Sequence, residues 1–286
     1  MNRFASILTL IVIFLILSPG AEVHAIECSK PAARPFRMFN GLFFEGQPDL
    51  AAFGLKPIHI VDRGIWAPGV SRIGPPDASR VRSYVRSLPD DDAPIVLDFE
   101  DYDLAKDDAQ ARSGIARLEK ILAAFRASGT RRELGFYGYV PLIDYWRAVA
   151  PSGSEKYTQW QKQNDRAAPL ARNVDALFPS IYTYYPKEEQ WVTYASAQIC
   201  EARRLSSKPV YVFLWPNYHN EGNPRPPRPI PGKYWRLQLE TAYRLADGII
   251  IWGGWDEAAS KKAPWDPNAE WWHETTRFME EIKPSR

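Results

Sequence analysis

Two carboxylic acids two residues apart, Asp98 and Glu100, follow directly on the apolar run Ile95-Val96-Leu97. If that run is a strand, successive side chains alternate between faces, so both carboxylates point to one side and Phe99 to the other. Two acids confined to one cavity repel each other. One keeps its proton, and the pair becomes a proton donor beside an ionised partner. That arrangement suits cleavage of a glycosidic bond. The competing use of either acid is to cap the following helix or to pair with an arginine, and Asp-x-Glu by itself is a common pattern.

Two other apolar runs end in residues that complement such a pair. Phe178-Pro179-Ser180-Ile181-Tyr182 ends in a hydroxyl able to donate to a substrate oxygen, and Ile249-Ile250-Ile251-Trp252 ends in an indole able to floor a sugar pocket. Tyr139 and Trp215 end neighbouring runs and are further candidates for lining a cleft. Taken singly, Tyr182 reads equally well as a core tyrosine and Trp252 as a packing residue. The combination carries the argument.

These residues need a frame that brings strand ends together. Seven stretches rich in β-branched and aromatic residues read as strands: 36–44, 57–66, 95–101, 134–140, 175–183, 209–215 and 248–253. Helical periods lie between them, such as Val81, Tyr84, Val85 and Leu88, or Ile115, Leu118, Leu122 and Phe125, the latter stopping near Gly129. Three further helices fit 188–205, 233–245 and 270–282. The β-then-α alternation and the continuously apolar strands predict an α/β fold: a single-domain (β/α) TIM-like barrel of seven or eight strands over residues 26–286. Chemistry in such a barrel sits at the C-terminal strand ends. An open doubly wound sheet is the alternative, but no GxGxxG or GxxxxGK[ST] follows the first strand. The segment 223–232 holds five prolines and reads as an extended loop.

Four segments together resemble the successive strand motifs of the hyaluronidases of animals and venoms, and in the same order. They are Ile95-Val96-Leu97-Asp98-Phe99-Glu100, Gly135-Phe136-Tyr137-Gly138-Tyr139, Ala176-Leu177-Phe178-Pro179-Ser180-Ile181-Tyr182 and Asp247-Gly248-Ile249-Ile250-Ile251-Trp252-Gly253. Gln163-Asn164-Asp165 and Glu201-Ala202-Arg203 also look like that family's intervening sequence. The resemblance spans most of 36–256. It implies a distorted barrel and a retaining hydrolysis in which the substrate's own 2-acetamido oxygen is the nucleophile. On that resemblance Glu100 is the acid and then the base, Asp98 and Tyr182 orient the acetamido group, and Trp252 holds the sugar ring. The chain departs from the family after Glu100, where Asp101-Tyr102-Asp103 stands in place of an aromatic-Arg-Pro segment, with Asp107 and Asp108 close behind. Extra acids there disfavour a polyanion. Helix capping is the simpler role for Asp107 and Asp108, while Arg225 and Arg228 are candidates for restoring positive charge.

Composition excludes other classes. The 286 residues are 45% hydrophobic and 24% charged, an ordinary folding composition. A net charge of +2 leaves no broad basic footprint for nucleic acid or anionic lipid. No cofactor motif is present, and two distant cysteines with four histidines lacking ligand spacing do not build a metal site. Arg3, the apolar run 7–17, the breakers Ser18-Pro19-Gly20 and the small residues Val23 and Ala25 read as a signal peptide over 1–25, hence a secreted or periplasmic product without stable membrane insertion. An uncleaved anchor is the alternative. Cys28 and Cys200 are able to pair in such a compartment. The expected partner is a polysaccharide containing N-acetylhexosamine, hyaluronan or chondroitin first. The competing functions are a non-catalytic carbohydrate-binding protein on the same barrel and an envelope-bound structural protein. Oligomeric state is left open.

Overall fold

In this computed structural model the described residues are 28, 34–62, 64–70, 74–219, 228–256 and 259–283. The proposed signal peptide and Arg225 lie outside them. Parallel strands alternate with helices: β1 (Arg37–Leu42), β2 (Lys56–Pro57), β3 (His59–Val61), α1 (Ala78–Ser87), β4 (Ile95–Leu97), α2 (Asp108–Ala127), β5 (Leu134–Phe136), α3 (Glu155–Arg166), α4 (Ala168–Asn173), α5 (Glu188–Leu205), β6 (Tyr211–Leu214), α6 (Gly232–Leu245) and β7 (Gly248–Gly253). A short antiparallel pair, β8 (Trp255–Asp256) and β9 (Lys261–Lys262), and α7 (Glu270–Glu281) complete the chain.

The expected α/β architecture with parallel strands is present, but the pairing is not one uninterrupted cylinder. The strands form a sheet in the order β2-β1-β7-β6 and a second in the order β3-β4-β5. Only Ile58 separates β2 from β3. On the other side the expected fifth strand is not a regular strand. Its residues make single bridges, Tyr137 with Phe178, Leu177 with Val210 and Ser180 with Phe213. Pro179 accounts for the break, because it has no N–H to give. Its carbonyl still accepts from Phe213 N at 2.9 Å, and Phe178 O from Gly138 N at 3.0 Å.

Strand alternation sorts the core into two clusters. An inner one takes Phe39, Val96, Tyr137, Ala176, Phe178, Tyr182, Tyr211, Phe213 and Ile250, with Ile58, Ile60, Trp215 and Trp252 against it. The residues between them, such as Ile95, Leu97, Ile249 and Ile251, face the helices in the larger outer cluster. Gly135 belongs to the inner row, where a Cβ would meet Ala176 O at 2.2 Å and the Phe178 ring at 2.7 Å. Its missing side chain is what lets Phe178 fill the interior.

Helix starts follow the sequence. Asp77 caps α1, Ser154 caps α3, and Asp107 caps α2 by accepting from Gln110 N at 2.8 Å, as anticipated. Asp108 pairs with Arg166 at 2.5 Å. Cys28 and Cys200 form a disulfide that ties the N-terminal segment to α5. Among the described residues no helix is long and apolar enough to cross a membrane.

Candidate functional site

Extending the inner rows past the last paired residue of each strand brings the candidate side chains to one mouth. The row Ile58, Ile60 continues to Asp62; Val96 to Asp98 and Glu100; Tyr211 and Phe213 to Trp215; Ile250 to Trp252. Asp98 N donates to Val61 O at 2.9 Å, so β3 and β4 still run together where the acid begins. Phe99 turns outward and packs its ring edge-on to Trp66 at 5.1 Å. The two carboxylates therefore share a side, as the alternation predicts.

Burial makes the two acids different. Glu100 is exposed and lines a cavity of about 180 Å³ with Tyr102, Asp103, Tyr137 and Ile143. Asp98 is held deeper, and its Oδ1 is buried with no hydrogen-bond partner. Burial, then the nearby charges of Glu100 and Asp62, push the Asp98 carboxyl up to about 7. The anticipated raised carboxyl is thus Asp98, and near neutrality it holds a proton much of the time. Asp62, which the sequence pattern did not single out because it lies inside the predicted strand 57–66, contributes to that shift from just past the end of β3.

Tyr182 lies beside Asp98. Burial, then Tyr137 and Asp98, hold its hydroxyl well above the usual tyrosine range, so it stays protonated. Its ring lies 6.0 Å from that of Trp252, 5.9 Å from Trp215 and 5.6 Å from His219, and the two indoles meet edge to face at 5.3 Å. Asp98, Tyr182, Trp215 and Trp252 are not among the residues lining the cavity beside Glu100. Tyr137 joins the two parts: it lines that cavity, its ring is 6.2 Å from Tyr182, and its hydroxyl donates to Ser180 Oγ at 3.0 Å.

Tyr139 lines this cavity, and Tyr137 lines it as well. Gly138 has φ +68°, a left-handed residue that interrupts the alternation. Tyr137 consequently keeps the inner position, while Tyr139 turns behind the segment carrying the acid. There its hydroxyl donates to Phe99 O at 2.7 Å and accepts from Tyr102 N at 3.1 Å. Tyr139 still contributes to the cavity wall, but its polar atom brackets the backbone on both sides of Glu100.

The Gln163-Asn164-Asp165 segment braces the same wall. Asn164 Oδ1 accepts from Leu142 N at 2.9 Å, and Trp160 and Gln198 both donate to Leu142 O at 3.2 Å. Gln163 Nε2 donates to Ala105 O at 2.9 Å, and Asp165 accepts from Arg204 at 2.7 Å. Arg228 stacks over Tyr218 at 4.4 Å. Among the described residues no group of three or more His, Cys, Asp and Glu is placed to hold a metal.

No family model matches this chain, and no curated protein matches it in sequence. Among solved structures, that of bee venom hyaluronidase is similar, with a TM-score of 0.58 at 16% identity over 86% of this chain and 96% of that one. The structure of bee venom hyaluronidase in complex with a hyaluronic acid tetramer gives a TM-score of 0.57 at 16% identity, covering 87% and 96%. The chain shares its fold with these structures.

Proposed function

We propose that the protein is a secreted glycoside hydrolase that cleaves polysaccharide containing N-acetylhexosamine, on a distorted (β/α) barrel, with retention and with the substrate's acetamido group as nucleophile. The observation that carries this reading is the pair at the end of β4: an exposed carboxyl facing a cavity and a second one, pushed up to about 7, whose Oδ1 is buried without a hydrogen-bond partner, beside Tyr182 and Trp252. A protein that only bound sugar has no use for a carboxylate whose burial costs desolvation. The shared fold with an enzyme crystallised with a hyaluronic acid tetramer supports the substrate class.

In the proposed reaction Glu100 gives its proton to the glycosidic oxygen as the acetamido carbonyl oxygen attacks the anomeric carbon. The departing sugar leaves with that proton, and a cyclic oxazolinium forms. Asp98, as carboxylate, accepts the acetamido N–H and offsets the growing positive charge, while the Tyr182 hydroxyl holds the acetamido oxygen. Glu100 then takes a proton from water, which opens the ring from the same face and restores the acid. Trp252 and Trp215 receive the apolar face of the sugar.

The test is mass spectrometry of products after incubation with hyaluronan, chondroitin and chitin oligosaccharides. Saturated fragments are expected from at least one, and Glu100→Gln should lower turnover about 10²–10⁴-fold while sugar binding persists. Unchanged turnover in Glu100→Gln removes the assignment of the acid. Binding without cleavage by the wild type transfers the reading to a carbohydrate-binding protein.

A further inference from the structure

We propose that Trp146, Tyr184 and His219, backed by the buried ring of Tyr145, form a remote sugar subsite that grips the glycan away from the acids, an inference that rests on the glycosidase reading. Trp146, 67% exposed, is the most exposed of the described large apolar side chains. A single exposed indole needs no explanation. This one, however, ends an unbroken series of rings. Trp146 meets Tyr184 edge-on at 5.4 Å, Tyr184 stacks on Tyr145 at 4.6 Å, Tyr145 lies 6.1 Å from His219, and His219 lies 5.6 Å from Tyr182. All of these residues follow strand C-terminal ends, so they share the mouth with Asp98 and Glu100.

The loop that presents Trp146 is braced. Asp144 accepts from Trp146 N at 2.9 Å and from the Arg147 backbone N at 2.6 Å and side-chain Nε at 2.5 Å. Arg147 also donates to Gln163 Oε1 at 2.6 Å, and Gln163 in turn holds Ala105, a residue of the cavity beside Glu100. The indole and the cavity wall thus belong to one hydrogen-bonded unit. Flat apolar faces flanked by hydroxyl and imidazole groups suit pyranose rings, whose C–H faces are apolar and whose edges carry hydroxyls. Continuity with Tyr182 identifies the occupant as a further sugar of the chain being cleaved.

The test compares wild type and Trp146→Ala on chitin oligosaccharides of increasing length and on hyaluronan. So exposed a side chain leaves folding unaffected. The expected result is a loss in kcat/KM of about tenfold on the longest substrates that shrinks as the chain shortens. In the Glu100→Gln background, tryptophan fluorescence titration should show the same length-dependent loss of affinity. A zero or length-independent loss overturns the subsite. If the wild type cleaves none of these substrates, the glycosidase reading fails, and the titration still decides this one: length-dependent binding that Trp146→Ala weakens sustains it, and any other result overturns it.

Discussion

Aspartates at the two ends of β4 have opposite fates. Asp91, ahead of the strand, is buried enough to be pushed up, yet hydrogen bonds from Arg132, from Ala93 N and from His59 prevail and hold it at about 2. Asp98, past the other end, is raised by burial and by the nearby charges of Glu100 and Asp62 and sits at about 7. The contrast extends around the strands. At the N-terminal ends Glu133 pairs with Arg37 at 2.7 Å, Asp175 with Arg126 at 2.5 Å and Asp247 with Arg203 at 3.3 Å. At the C-terminal ends Asp62, Asp98 and Glu100 gather beside aromatic rings. At the N-terminal ends the carboxylates pair with arginines, whereas at the other end burial and neighbouring acids act on Asp98, and that is the end where chemistry is expected.

Substitutions at both ends of the strand test this contrast. Asp98→Asn should lower turnover about a hundredfold, because an amide cannot balance a cationic ring, yet it should raise the melting temperature at pH 8. A carboxyl raised above its unfolded value of 3.8 contributes stability in full below that value and loses it as pH rises through about 7. The gain from Asn should therefore vanish near pH 4; a uniform gain or a loss at pH 8 breaks the comparison. Asp91→Asn should do the reverse, leaving turnover intact and costing about 1 kcal/mol after solvent screening. Denaturant unfolding and kinetics on the same preparation separate the two.

Tyr139→Phe sharpens the account of how the acid is held. Without its hydroxyl the backbone around Glu100 loses two hydrogen bonds, and kcat should fall about tenfold with KM little changed. A change confined to KM would instead make Tyr139 a sugar contact. The smallest effect is the pH profile of kcat/KM, which should rise toward about pH 7 as the Asp98 carboxyl ionises. In Asp98→Asn that limb should be lost.

The face shared by Asp98 and Glu100 was legible because strict alternation needs only Val96 inside and Phe99 outside. β7 matched its apolar run for the same reason. Where backbone chemistry interrupts alternation, the pattern misled. Pro179 turned an expected strand into isolated bridges, and the left-handed Gly138 brought Tyr137 to the cavity wall along with Tyr139. The identity of the raised carboxyl was not legible at all, since it depends on burial and on Asp62 from another strand. Gln163-Asn164-Asp165 contributed to the family resemblance, yet its side chains brace the wall of the cavity instead of entering it.

β1 pairs along its whole length with β7, from Arg37 opposite Gly248 to Leu42 opposite Gly253. The strand synthesised first is therefore completed by the last of its sheet, and until then β1 and β6 both present open edges able to recruit other chains. Such distant pairing is slow to form. The bridge from Cys28 to Cys200, spanning 172 residues, needs only the chain through α5. In an oxidising environment the bridge would therefore anchor the early segment before its partner strand is made.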